Sequence, residues 1–265
     1  VTIALRAFPR RRFLLASEYW VYVREPQIPK LEAVMTRMIS ENPVTTRGHA
    51  PIAAREGMIF SDIRLDVKLV RREKNAHLFR PDLSEFAPAV DSETLAELSG
   101  ATAFFRLTYL SSKPVRDLRH LTFMPHLAAA YADLSQGVVV HDPIQNATWT
   151  TSGLHLWLES TRNLESAAAH VSVRWEPDGT TGRFSTHGLR KIGFSEIASA
   201  PLESDQRTVV ESLMQLLVRE VWKLSDQAVA GLPAVMKLTT EFNQYVVKLS
   251  PGREFADARF EKEVA

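Results

Sequence analysis

Between Met58 and Val70 the chain sets Ile59, Ile63, Leu65, Val67 and Leu69 among polar neighbours, alternating over most of the run. A period of two sends successive side chains to opposite faces of a pleated strand, so one face is buried and the other is wet. Strands of that kind belong to antiparallel sheets, because parallel sheets are covered on both faces and read as continuous apolar runs. The chain therefore has to build a sheet and supply something to cover one side of it.

The covering elements are helical. Pro29 opens a segment in which Leu31, Val34, Met35, Met38 and Ile39 fall at i, i+3, i+4, i+7 and i+8, a single apolar stripe, and Asn42-Pro43 closes it. Ser204-Asp205 is placed to cap a longer helix, whose buried side and neighbours are marked by Val209, Val210, Leu213, Leu216, Leu217, Glu220, Val221 and Leu224. Further strands are expected at Val1–Ala7, Tyr19–Arg24, Ala101–Leu110, Phe194–Ala198 and across Lys237–Leu249. His170–Trp175 and Arg183–Thr186 form a hairpin through the turn Pro177-Asp178-Gly179. A helix over Asp117–Gln136, kinked or split at Pro125 and stopped by Gly137, runs into Val138-Val139-Val140. Strand, helix, strand in that order is a βαβ-like unit.

The sum is an α+β fold, a mixed and largely antiparallel sheet with helices packed on one face. Pro81, Pro88, Asn75 and several acids between Glu73 and Glu93 suggest a linker. The expected division is an N-terminal α+β part at 1–90, a C-terminal α+β part at 91–250 and a charged, fraying tail at 251–265, with one continuous domain as the alternative.

Composition removes whole classes of function. With 45% apolar residues in a chain of 265, a core forms without staples. The absence of cysteine excludes disulfides, thiolate nucleophiles, iron–sulfur clusters and Cys-type zinc sites. The net charge is +1, and the basic runs Arg10–Arg12 and Lys68, Arg71, Arg72 and Lys74 are too short for a phosphate track, so no nucleic acid is expected. No apolar run approaches the roughly 20 residues of a membrane span. Arg10-Arg11-Arg12-Phe13-Leu14 has the form of a twin-arginine signal, but such a signal needs an apolar stretch of about 7–15 residues next. Here Glu18, Arg24 and Glu25 interrupt it, and a folded strand fits better. A cytoplasmic location is the expectation, although a disulfide-free exported protein would look the same.

Catalytic signatures are missing. There is no Gly-x-Ser-x-Gly elbow and no His-Glu-x-x-His pair, and Gly179-Thr180-Thr181-Gly182 is a hairpin turn rather than a phosphate-cradling loop. No metal and no cofactor are expected. Two places at strand ends remain, His141-Asp142 and His187. A His beside an Asp can act as a general base held in one tautomer, or Asp142 can simply cap the turn at Pro143. Trp149, His155 and Trp157 cluster in Ala147–Leu158, read as a loop entering a short helix. They are either a partner surface, together with the turn at Thr186–Gly188, or plugs of the core.

Two blocks carry a family resemblance. Ala128-Ala129-Ala130-Tyr131-Ala132-Asp133-Leu134 leads into Gly137-Val138-Val139-Val140-His141-Asp142, and Thr186-His187-Gly188-Leu189 is followed by Gly193-Phe194-Ser195-Glu196-Ile197. Together they resemble the bacterial domain-of-unknown-function family 4261, in which a Pro stands where Ser195 does here. The resemblance implies a bacterial source and supplies no catalytic residues. The expected function is a non-enzymatic binding or protein-interaction module of a bacterial cell, of accessory or immunity type, meeting a protein partner, with a homodimer left open. The rival is a hydrolase or transferase using His141, Asp142 and His187.

Overall fold

The computed structural model describes residues 15–41, 63–79, 90–111, 118–252 and 255–263. The strand expected at Val1–Ala7, the arginines at 10–12, the start of the Met58–Val70 strand and the prolines at 81 and 88 lie outside the described residues. The chain divides into two compact units, Ala16–Ser111 with Asp117–Glu165, and Val1–Leu15 with Ser112–Arg116 and Ser166–Ala265.

The first unit holds a five-stranded sheet in the order β2-β3-β1-β4-β5. Its strands are β1 (Leu15–Val23), β2 (Ile63–Arg71), β3 (Ala103–Ser111), β4 (Gly137–Asp142) and β5 (Ala147–Thr150). Adjacent phenylalanines on β3 sort its faces. Phe105 meets Tyr131 of helix α3 (Arg119–Leu134), while Phe104 packs with Tyr22 and Phe79 on the opposite side. Helix α2 (Ser92–Gly100) adds Leu98 to that second cluster. Helices α1 (Leu31–Glu41) and α4 (Thr151–Ser160) flank α3.

The expected strand–helix–strand unit is β3, α3 and β4, but β1 lies between the two strands. β1 runs antiparallel to β4. Thr102 N–H donates to Val23 O and Arg106 reaches back to Glu18, so β3 also opposes β1, and β3 and β4 point the same way. At the end of α3 the left-handed position is taken by Gln136, φ 53°, and not by Gly137. Gly137 serves close approach instead, since a Cβ there would fall 2.8 Å from Ala132 Cα.

Of the segment read as a linker between Glu73 and Glu93, the described residues 73–79 and 90–93 belong to this unit. Two 3₁₀ turns, Arg72–Lys74 and Ala76–Phe79, bury Phe79, and β2 and β3 pair on either side of them from Ile63↔Ser111 to Arg71↔Ala103. Arg72 is committed within it, donating to Ser99 O and Ala101 O at the end of α2 with its guanidinium over the Phe79 ring. That satisfies carbonyls a helix end leaves open.

The second unit holds a seven-stranded sheet, ordered β10-β11-β12-β8-β7-β6 with β9 on β7. Its strands are β6 (Ser172–Asp178), β7 (Thr181–His187), β8 (Glu196–Ser199), β9 (Leu202–Glu203), β10 (Val235–Thr239), β11 (Gln244–Pro251) and β12 (Phe255–Lys262). Only β12–β8 is parallel among the described pairs. A short helix α5 (Ala167–His170) precedes β6, and helix α6 (Arg207–Trp222) packs on β6, β7 and β10 through Val210, Leu213, Met214, Leu217 and Val221. Ser204 and Asp205 sit in a preceding 3₁₀ turn, and the N-cap position of α6, which begins at Arg207, falls on Gln206.

Within the span 251–265, expected to be a charged tail, Phe255–Lys262 form the inner strand β12. Its charges lie on one face, with Asp257, Arg259 and Glu261 alternating with the buried Ala256 and Ala258. Lys248 of β11 pairs with Glu261 across the ladder. Net charge masked a period of two. The fold is α+β, on two mostly antiparallel sheets.

Candidate functional site

His141 and Asp142 are consecutive on β4, and that alone separates them, because neighbours on a strand project to opposite faces. His141 stands on the Trp20 side, its ring edge-on to the indole at 5.5 Å and its Nδ1 hydrogen-bonded at 2.8 Å to Thr148 Oγ1, its partner across the β4–β5 ladder. Asp142 is 0% exposed on the other side. Its Oδ1 accepts from the backbone N–H of Ile144 and of Gln145, each at 3.0 Å, which closes the β4–β5 turn through Asn146 at φ 56°. Burial, with the Asp142 carboxylate beside it, lifts the Tyr19 phenol well above its ordinary pKa. The two side chains are not brought together: the carboxylate caps a turn and the imidazole braces a hairpin.

His187 lies in the second unit, on β7. Its Nε2 is 3.1 Å from Ser185 Oγ, and Ser185 also bonds Glu176 of β6, whose other oxygen accepts from Arg183 Nε at 2.8 Å. The residues are Ser, His and Glu, yet the connectivity is wrong for nucleophilic catalysis. A triad places the acid on one imidazole nitrogen and the hydroxyl on the other. Here the serine stands between acid and imidazole, its one proton goes to Glu176, and Ser185 is 0% exposed. Burial opposes ionisation of Glu176, but the bonds from Ser185 and Arg183 outweigh it and hold the carboxyl below its ordinary value. Burial, and then the charge of Arg174, keep the His187 imidazole below its own.

Trp149 and Trp157 are brought together. Trp149 is on β5 and not on a loop, Trp157 is on α4, and their ring centroids are 5.3 Å apart. Both are half-buried, and they join the edge strand to the helix above it. α4 starts where Thr150 Oγ1 accepts from Gly153 N–H. His155, from the same helix, places Nε2 2.9 Å from Asp133 Oδ1, while Arg37 donates to Asp133 Oδ2 through Nη2 at 2.9 Å and Nε at 3.0 Å.

The block Thr186–Ile197 has a structural explanation that sequence spacing did not reveal. Glu196, buried at the start of β8, turns its carboxylate into the preceding loop and accepts from Thr186 Oγ1 at 2.8 Å and from the backbone N–H of Gly188, Arg190 and Leu189 at 2.9, 3.2 and 3.3 Å. Thr186 Oγ1 in turn accepts from Ile197 N–H. Gly188 has φ 126°, and a Cβ there would meet His170 O at 2.0 Å. Gly193 is left-handed at φ 93°. Burial pushes the Glu196 carboxyl above its ordinary value against the pull of its four donors. The motif specifies a carboxylate-capped loop, with Thr186 buried inside it and so withdrawn from any docking surface. Beneath it Lys191, 0% exposed, bonds His170 Nδ1 at 3.0 Å, and His170 stacks on Trp222.

Among the described residues no group of three or more His, Asp or Glu is arranged to hold a metal ion, and no helix is long and apolar enough to cross a membrane. No protein-family model, curated protein or solved structure matches the chain.

Proposed function

We propose that the protein is a non-enzymatic binding module of a bacterial cell, of accessory or immunity type, that meets a protein partner. The observation that supports this most is the commitment of Asp142: both backbone donors of its turn converge on one oxygen of a carboxylate sealed from solvent. A catalytic carboxylate has to reach substrate. The same logic applies to Ser185 and Glu196, whose hydrogen bonds hold strands and a loop. The docking surface we favour is the outer side of α4, where Leu156 is 66% exposed beside the exposed Ser152, Glu159 and Ser160, on a helix fixed from below by the Trp149–Trp157 contact.

Affinity capture from the native host's lysate tests this, with wild type and Leu156→Arg side by side. A stoichiometric protein retained by wild type and lost by Leu156→Arg, at unchanged melting temperature, is the expected result. Equal capture by both chains removes the α4 surface. A substrate turned over by wild type and not by His187→Ala makes the protein a hydrolase or transferase instead.

A further inference from the structure

β2 is the outermost strand of the first sheet. Over its nine residues, Ile63–Arg71, one edge pairs with β3 and the other meets no strand among the described residues. An edge of that length is a template for another strand unless something blunts it. Opposed residues of a ladder share a face, so Leu65 and Leu69, which oppose Tyr109 and Phe105, stand on the α3 side, where those rings meet His120 and Tyr131. Val67 lies between them on the same side. Leu65 and Val67 are nevertheless each 42% exposed. Arg64, Asp66 and Lys68 occupy the other face, with Arg64 Nε 2.8 Å from Asp66 Oδ2. Within its own sheet Lys68 lies opposite Arg106, a like charge.

The end of the strand fixes which backbone groups point outward. Arg72 N–H donates to Thr102 O, on the β3 side, at 2.9 Å. Across a trans peptide the preceding carbonyl points the other way, and Arg71 is extended at φ −94°, ψ 141°. Alternation along the strand then turns the N–H and C=O of Leu69, Val67 and Leu65 away from β3. Val67 is the midpoint of β2. When a second β2 is laid antiparallel on this edge with a twofold axis at Val67, Val67 meets Val67 of the second copy and Leu65 meets Leu69. All three outward residues then fall in hydrogen-bonded pairs. In the intervening, closer pairs, Asp66 lies opposite Lys68 of the second copy and Lys68 opposite its Asp66. One strand thus carries both halves of a charge-matched, self-complementary edge. An axis at Leu65 would also oppose Arg64 and Asp66, but it would shorten the ladder to Ile63–Val67.

We propose that β2 is a homodimer edge, at which two copies of the chain join β2 to β2, antiparallel and centred on Val67, so that their two five-stranded sheets become one. Leu65, Val67 and Leu69 of both copies cover one another on the α3 side, and the Asp66–Lys68 pairs close the other. Main-chain bonds supply the affinity and the side chains the register. Helix α4 packs with β5 at the opposite edge of the sheet, so self-association through β2 is separate from partner capture at α4.

Sedimentation of the full chain tests it. Wild type should pass from a 29.8 kDa monomer to a dimer as concentration rises. Asp66→Lys and Lys68→Asp each set like charges opposite one another, and each should weaken association by about tenfold or more. Mixed together, the two variants oppose Lys to Asp in both cross-pairs and should dimerise as wild type does. A wild-type chain that stays monomeric at the highest attainable concentration, a Lys68→Asp chain that associates like wild type, or a mixture that stays monomeric would each overturn the proposal. The absence of cysteine provides a second measurement that does not depend on charge. Val67→Cys brings two thiols across a hydrogen-bonded pair, whose Cα atoms lie about 5.5 Å apart and within disulfide reach, so oxidation should link the chains. Leu65→Cys sets its thiols several residues apart and should not link. No linkage in Val67→Cys, or equal linkage at both positions, overturns the edge centred on Val67.

Discussion

Replacing Glu196 by Ala removes the acceptor for four donors at once. Two of them, the N–H groups of Gly188 and Leu189, are buried with nowhere else to turn, and the Thr186 hydroxyl is buried as well, while Arg190 is exposed enough to reach water. Each buried donor left without a partner costs about 1–3 kcal/mol. Against that stands the relief of a carboxylate whose burial already works against its ionisation. The net expectation is a loss of about 3 kcal/mol for Glu196→Ala. Glu196→Gln keeps one acceptor oxygen and should lose about half as much. Urea unfolding followed by circular dichroism reads both, as a shift in midpoint at constant m-value. A loss below about 1 kcal/mol for Glu196→Ala, or a Gln variant as damaged as the Ala variant, would refute the idea that this carboxylate organises the loop.

Gly188→Ala should be worse than a simple helix or turn substitution, about 3 kcal/mol or more in thermal melts, because positive φ and a clash with His170 O act together. Trp149→Ala should lower stability by about 2–3 kcal/mol in the same assay, as expected of a half-buried ring packed at a tilt against Trp157, where a free surface anchor would leave the melt unchanged. Wild-type stability should fall on acidification through His126. Its folded value near 4 lies below the ordinary 6.5, so the unfolded chain binds the proton first. The stabilisation is complete above about pH 6.5, declines as pH falls, and has lost about 3 kcal/mol near pH 4. His126→Phe should flatten that slope.

Elements with a strong period were legible in the sequence. The stripe from Leu31 to Ile39 is α1, and the 170–187 hairpin has its turn where Pro177-Asp178-Gly179 put it, closing as Asp178↔Thr181. Alternation predicted antiparallel pairing, and β2 pairs antiparallel with β3 along its whole length. What escaped depended on long-range partners. β12 was hidden because its polar face is densely charged and its buried face is built from alanines, so its apolar signal is weak. The insertion of β1 between β3 and β4 joins segments more than a hundred residues apart, and no local pattern encodes it. At the candidate sites, residue type was a poor guide. His141 and Asp142 are adjacent in sequence and back to back in space, whereas Glu196, Asp133 and Lys191 gather partners that spacing does not connect. The glycines of the 186–197 block did carry a signal, since positive φ at Gly188 and Gly193 marks a specified loop, but the signal concerned structure.

Whether the buried acids serve the fold or a reaction is decided most directly by the unfolding free energy of Asp142→Ala. A turn cap predicts a loss of about 2–3 kcal/mol, since the N–H groups of Ile144 and Gln145 would each lose their acceptor. A catalytic carboxylate predicts the reverse, because active-site groups are commonly held at a cost in stability and their removal raises it. An Asp142→Ala chain as stable as wild type, or more stable, would contradict the structural role assigned to Asp142 and return the first unit to the enzymes.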